Sequence, residues 1–292
     1  MRLRTLPLSL AGVLLGSLMA VADYRVQWLV VLLVCLTTVC LQVLSNLSNE
    51  LGDVLHGTDT AERQGPGYGL NSGSLTVRDM KFLIGLFVIL CCAFGAAMVW
   101  RSFGTIWCLE SVLLLLLGAA AIVAAMRYTL GRNPYGYRAK GDFYVFIFFG
   151  LVSVLGSYFV CAHTLHSWLL LLPAAAIGFF SMGVLNVNNI RDMVTDAPNR
   201  VTVAIKLGER GARIYQTVLV VLGLVCMAAY TLLRLPDWRH WLWAATLPLY
   251  AMHLRGVWAN SGRALDRYLP MLVLTTFAMA LLAGAGFTAY LW

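Results

Sequence analysis

Charge is what this 292-residue sequence has least of: Asp, Glu, Lys and Arg make up 12% of it, against 60% hydrophobic residues. A soluble domain carries about 25% charged residues, so a soluble globular fold is excluded and the chain reads as an integral membrane protein. No soluble basic segment is present either, so the net charge of +8 gives no support to nucleic-acid binding. The apolar runs do not alternate with polar residues, which excludes barrel strands and leaves helices, whose backbone satisfies its own hydrogen bonds in lipid. The seven cysteines (35, 40, 91, 92, 108, 161 and 226) lack metal-ligand spacing and are expected to be packing residues. No low-complexity tract or long linker divides the chain, which is read as a single domain, 1–292.

Apolar runs long enough to cross the membrane, or nearly so, lie at 5–22, 26–46, 81–100, 104–126, 143–161, 167–187, 214–233, 239–254 and 270–291. The expectation is an all-α, polytopic protein with nine transmembrane helices around a central cavity near the cytoplasmic face. The first run leads directly into the second without a clear cleavage site, so it is taken as a helix and not as a signal peptide. With the N-terminus cytoplasmic and the C-terminus outside, seventeen of the 21 Lys and Arg fall on the inner side.

The topology rule gives acids no place, yet ten of the thirteen Asp and Glu also fall inside, eight of them in the segments 47–80 and 188–213. These two cytoplasmic segments are the expected active-site segments. In "SNLSNELGDVLHGTD" the residues Asn46, Asn49 and Asp53 are spaced three and four apart and share one helix face, with Glu50 beside it. "NVNNIRDMVTDAPNR" repeats the idea with Asn188, Asp192 and Asp196, adjoined by Asn189 and Arg191. The recurrence suggests a pseudo-repeat, spans 2–4 against spans 6–8, with a site between the halves.

Paired carboxylates with an amide oxygen are hard ligands suited to Mg²⁺, which commonly bridges protein acids to substrate phosphates. Two clusters therefore point to metal and a polyphosphate. Cations surround them: Arg127, Arg132, Arg138 and Lys140 in "RYTLGRNPYGYRAKGD", then Arg191, Arg200 and Lys206. Each either grips phosphate or merely marks the inner side. Tyr128, Tyr135 and Tyr137 offer ring faces to a carbocation, or form an interfacial belt.

Several absences then narrow the function. "GPGYGLNSGS" lacks the Gly-Lys-Ser/Thr ending of a phosphate loop and fits a flexible cap better. His163 and His166 lie in an outer loop away from the acids, and Glu110 lies near the outer end of span four. A secondary transporter would place ionisable groups deep in its spans, and almost none are there. The dense Asp-Gly/Ala-Arg run of a CDP-alcohol phosphotransferase is absent.

Asn49-Glu50-x-x-Asp53 and Asp192-x-x-x-Asp196 resemble the two acidic motifs of the UbiA superfamily of intramembrane prenyltransferases, and the likeness extends over nearly the whole chain. Glu50 stands where Asp is commoner. Relatives are expected to carry a short extra N-terminal stretch, an interfacial anchor without chemistry. "HGTD", "NPYGYRAKGD", "NNIRD" and "RTLPLSLAG" resemble the branch that acts on 1,4-dihydroxy-2-naphthoate in menaquinone synthesis. The resemblance implies a Mg²⁺-dependent transfer of a polyprenyl group from its diphosphate to that acceptor, with loss of pyrophosphate and CO₂, in the bacterial cytoplasmic membrane; 4-hydroxybenzoate and homogentisate are alternative acceptors. It also implies Mg²⁺ on Asn49, Glu50, Asp53, Asp59, Asp192 and Asp196, with Asp53, Asp192 and Asp196 catalytic. Diphosphate would meet Arg132, Arg138, Lys140, Arg191 and Lys206, and the substrate cavity would hold Asn46, Asn188, Asn189, Tyr128 and Tyr137.

Overall fold

Long apolar stretches form helices and, among the described residues, no strand. The computed structural model describes residues 3–56, 70, 74–198, 200–234 and 237–289. Its principal segments are α1 (Leu6–Asp23), α2 (Trp28–Leu55), α3 (Val77–Phe103), α4 (Leu109–Arg127), α5 (Gly141–Ala162), α6 (Trp168–Arg191), α7 (Val203–Leu233), α8 (Leu247–Ala259) and α9 (Gly262–Thr288). Eight of these described segments, all but α8, are long and apolar enough to cross a membrane.

The expectation of nine such helices is therefore corrected at the run 239–254. A nine-residue 3-10 helix, Trp238–Thr246, precedes α8, which has only 13 residues. Pro248, in the first turn of α8, has no N–H to bond the preceding turn, so an α-helix cannot run through it undisturbed. At the usual rises the two pieces together reach about 37 Å, so this stretch still has the length to cross.

Local chemistry sets the ends of the longer helices. The Thr76 hydroxyl accepts from the Asp79 N–H (3.2 Å) while the Asp79 carboxylate accepts from the Thr76 N–H (3.0 Å), a reciprocal cap that starts α3. Gly104, at φ 71°, stops it in the left-handed region. Within α7, Gly208 adopts φ 69° and breaks the helical path.

Lipid tails supply no hydrophobic drive between helices, so close packing must hold the bundle together. α6 runs along α7, α2 along α3, and α1 lies against α5 and α9. α1, α6 and α9 are the most buried spans and α4 the least. At Gly150 a Cβ would run into the backbone of Ala174 and Gly178, so α5 and α6 touch main chain to main chain there. That contact falls in a π-helical stretch of α5, Phe146–Val152. Such wide turns recur at functional sites, and this one carries Phe148, Phe149 and Val152 onto the wall of a cavity.

Candidate active site

The cavity, of about 360 Å³, lies among α1 to α6. Much of its wall is apolar, from Met98, Leu114, Leu117 and Val160, while Asn49, Asp53, Asn188, Asn189 and Arg200 form a polar end. The two motif helices thus bring their C-terminal ends to one place, as the sequence pattern suggests.

Asp53 is buried at 2% exposure and accepts a hydrogen bond from the Tyr137 hydroxyl at 2.8 Å. Tyr137 reaches it because the segment after α4 is fastened at several points. The Tyr135 hydroxyl donates to the Ala124 carbonyl (2.7 Å), and the Gly136 N–H donates to the Tyr128 carbonyl (3.0 Å). Thr129 donates to the Ser48 carbonyl (2.9 Å) and to the Asn49 amide oxygen (3.2 Å). A Cβ at Gly52 would run into Thr129, so glycine is what lets this segment lie against α2. Beyond Tyr137 the chain pairs with the stretch after the second motif: the Ala139 N–H donates to the Val201 carbonyl (2.8 Å) and the Val201 N–H to the Tyr137 carbonyl (3.1 Å).

In the second motif Asp192 is fully buried and takes two hydrogen bonds from Arg191, at 2.8 and 2.6 Å. Arg191 also donates to Asp266 (2.8 Å) and to the Asn188 amide oxygen (2.9 Å). Asp196 is buried and ion-paired with Arg200, whose other terminal nitrogen lies 4.0 Å from Asp53. Arg200 therefore spans both motifs. Burial by itself lowers its pKa, but the charges of Asp196 and Asp53 outweigh that and raise it above the usual guanidinium value, so it stays charged. Its Nε is buried without a hydrogen-bond partner, and its side chain lines the cavity.

The other expected residues separate in space. Asn46, Asn49, Asn188, Asn189 and Tyr128 line the cavity with Asp53; Asp192, Asp196, Glu50 and Tyr137 do not. Glu50 is buried and accepts from the Leu70 N–H at 2.8 Å, anchoring the chain beyond α2. Asp59 lies outside the described residues, as does most of the stretch Gly65 to Ser74 read as a cap. Arg132, Arg138, Lys140 and Lys206 are exposed and off the cavity wall, Arg138 being bonded to Asn133. Arg191 is held by acids.

On the wall, Tyr135 stacks on Tyr144 at 4.0 Å, and Tyr144 on Phe148 at 6.5 Å. Tyr144 and Phe148 carried no distinguishing sequence signal among so many apolar neighbours. Arg200 did carry one, since it follows Asp196 by four residues. His163 and His166 bond separately to Ser102 and Tyr158, both at 2.8 Å, and Glu110 is exposed in the first turn of α4.

Among the described residues no three His, Cys, Asp or Glu side chains converge as a metal cage. Mg²⁺ does not demand one, because it keeps several waters and usually takes one or two carboxylates plus substrate phosphates. Asp53 and Asn49 at the cavity end, with Asp196 joined to them through Arg200, are hard oxygen donors of that kind and fit the ion.

The UbiA prenyltransferase family profile matches residues 9–267. The chain belongs to the UbiA prenyltransferase family. This UbiA family protein is 40% identical over 258 residues to a 1,4-dihydroxy-2-naphthoate octaprenyltransferase of Escherichia coli, covering 88% of this chain and 83% of that one. A protein of the same description from Mycobacterium tuberculosis is 34% identical, covering 99% of this chain and 95% of its own. The apo structure of a UbiA homolog from Aeropyrum pernix K1 superposes with a TM-score of 0.73 over all of both chains, at 17% identity. That likeness shows the fold.

Proposed function

We propose that this UbiA family enzyme transfers a polyprenyl group from polyprenyl diphosphate to 1,4-dihydroxy-2-naphthoate. The observation that carries the substrate assignment is the identity of 34–40% to naphthoate octaprenyltransferases over most of the chain. Supporting it is a cavity with one polar end, at Asn49, Asp53 and Arg200, and a long apolar wall.

The diphosphate is read as lying at the polar end, where the charged Arg200 lines the cavity. Asn49, Asp53 and Asp196 would hold Mg²⁺, which when bound neutralises phosphate charge as pyrophosphate departs, while Asp192, buried against Arg191, would position the second motif. Breaking the allylic C–O bond leaves a cation, which the rings of the cavity-lining Tyr128, Tyr135 and Tyr144 would stabilise. The acceptor ring then forms a C–C bond to the allylic carbon. The bond to its carboxylate breaks, CO₂ leaves, and the electron pair restores the aromatic ring. The apolar wall excludes the water that would quench the cation. The exposed Arg132, Arg138, Lys140 and Lys206 attract the anionic donor as solvated charges. Orientation follows the basic residues, with the N-terminus cytoplasmic and the C-terminus outside, in a bacterial inner membrane.

Expression in a bacterium stripped of its own naphthoate prenyltransferase tests this reading. Restored menaquinone is the expected result; none, with the protein present in the membrane, would count against it.

A further inference from the structure

Partway up the cavity, on the lipid side of Asn49, four polar side chains from α1, the residue that caps it and α2 meet on the wall. Thr5, Ser9, Gln42 and Asn46 all line the cavity, and Gln42 is only 7% exposed. The Ser9 hydroxyl donates to the Gln42 carbonyl oxygen at 2.5 Å. The Gln42 amide donates to Thr5 at 2.9 Å and to the Asn46 carbonyl oxygen at 3.1 Å. Both amide hydrogens of Gln42 are thereby used, while one lone pair of its oxygen remains. Ser9, having given its proton to Gln42, also retains acceptor capacity. The cluster therefore presents acceptors to incoming O–H groups.

A second observation concerns the same cavity, about two helical turns from its polar end, since Ser181 precedes Asn188 by seven residues as Gln42 precedes Asn49. Ser181, on α6, lines this cavity at 1% exposure, and its hydroxyl has no hydrogen-bond partner. A buried hydroxyl left unpaired costs stability, so an acceptor brought to it by a bound molecule would be favoured.

Gln42, Asn46, Asn49 and Asp53 follow one another at spacings of four, three and four along α2, so they form one continuous stripe. From Gln42 to Asn49 the helix rises about 10 Å. That leaves room for an allylic carbon beside the diphosphate end and a two-ring arene in line with it.

We infer that Gln42, held by Ser9, Thr5 and Asn46, is with Ser181 of the same cavity the subsite for the aromatic acceptor, recognising a ring that carries hydroxyl and carboxylate groups. The inference rests on the prenyl-transfer reading above. The Gln42 oxygen and Ser9 accept the ring hydroxyls, and Ser181 donates to the carboxylate. So held, the ring presents its carboxylate-bearing carbon toward the diphosphate end, and the prenyl chain takes the remaining apolar wall. A site that hydrogen-bonds a substrate hydroxyl rejects analogues lacking it far more strongly than an apolar pocket can.

The alternative is that the cluster only staples α1 to α2. Steady-state kinetics and calorimetric acceptor binding on the purified full chain in detergent separate the two. Gln42→Leu is expected to raise the KM for dihydroxynaphthoate at least about tenfold and leave the prenyl diphosphate KM within about twofold. It should also erase the wild-type preference for dihydroxynaphthoate over plain 2-naphthoate, which a mere staple would not do. Ser181→Ala breaks no hydrogen bond within the protein, so it should fold normally and weaken acceptor binding several-fold. It decides the matter if Gln42→Leu fails to fold. Equal changes in both KM values, or unchanged acceptor binding in Ser181→Ala, would overturn the subsite. If the wild type binds and prenylates 4-hydroxybenzoate and not the naphthoate, the naphthoate assignment fails, and the same variants measured with the benzoate still decide the subsite.

Discussion

At Asp53 one carboxylate meets the hydroxyl of Tyr137 and the guanidinium of Arg200, both delivered by segments remote in sequence. If this carboxylate serves Mg²⁺ and the diphosphate, Asp53→Ala should lower prenyl transfer by about 100-fold or more with membrane levels unchanged. Asp53→Asn, which keeps the shape and loses the charge, should raise the Mg²⁺ concentration needed for half-maximal rate. Near-normal transfer at matched expression would contradict the role. The cations are distinguished in the same way. Arg200 is buried on the cavity wall, so Arg200→Gln should raise the prenyl diphosphate KM about tenfold and move the acceptor KM little. Lys206 is exposed, so Lys206→Ala should cost less than about threefold, and less again at high salt. A larger effect from Lys206 than from Arg200 would reverse this assignment. From the sequence the two differ only in neighbours: Arg200 stands four residues after Asp196, whereas Lys206 lies inside α7.

On the scale of elements, α2 was legible because Asn46, Asn49 and Asp53 keep helical spacing at the end of an apolar run. The second motif was legible for the same reason, as far as Asp192, where α6 ends. The pairing of the post-α4 segment with the post-motif segment was not legible. It consists of two main-chain hydrogen bonds, Ala139 to Val201 and Val201 to Tyr137, and main-chain bonds leave no residue signature. Its importance can be measured through Val201→Pro, which deletes the N–H bonded to the Tyr137 carbonyl. Transfer should fall about tenfold while helical circular dichroism stays unchanged, and Val201→Ala should behave as wild type. Full activity in Val201→Pro would mean that the clamp does not position Tyr137. The run 239–254 misled in a different way, since hydropathy alone does not register that Pro248 prevents a continuous α-helix.

For the whole molecule, composition and the inward skew of basic residues carried the membrane fold, and the structure adds how α1, α6 and α9 form its buried centre. The topology has a direct readout. Alkaline phosphatase, active only outside the cytoplasm, should be active when fused after Trp292 and inactive when fused after Gly208; the opposite pattern would invert the orientation. The chemistry follows from the same asymmetry, a charged end joined to an apolar cavity. The most direct measurement uses purified protein in detergent with Mg²⁺, one polyprenyl diphosphate, and 1,4-dihydroxy-2-naphthoate and 4-hydroxybenzoate at equal concentration, the products being identified by mass. The predicted outcome is prenylated naphthol lacking the carboxyl group, with pyrophosphate and CO₂ released in equal amounts. Prenylated hydroxybenzoate as the main product, or a naphthoate product that keeps its carboxyl group, would contradict it.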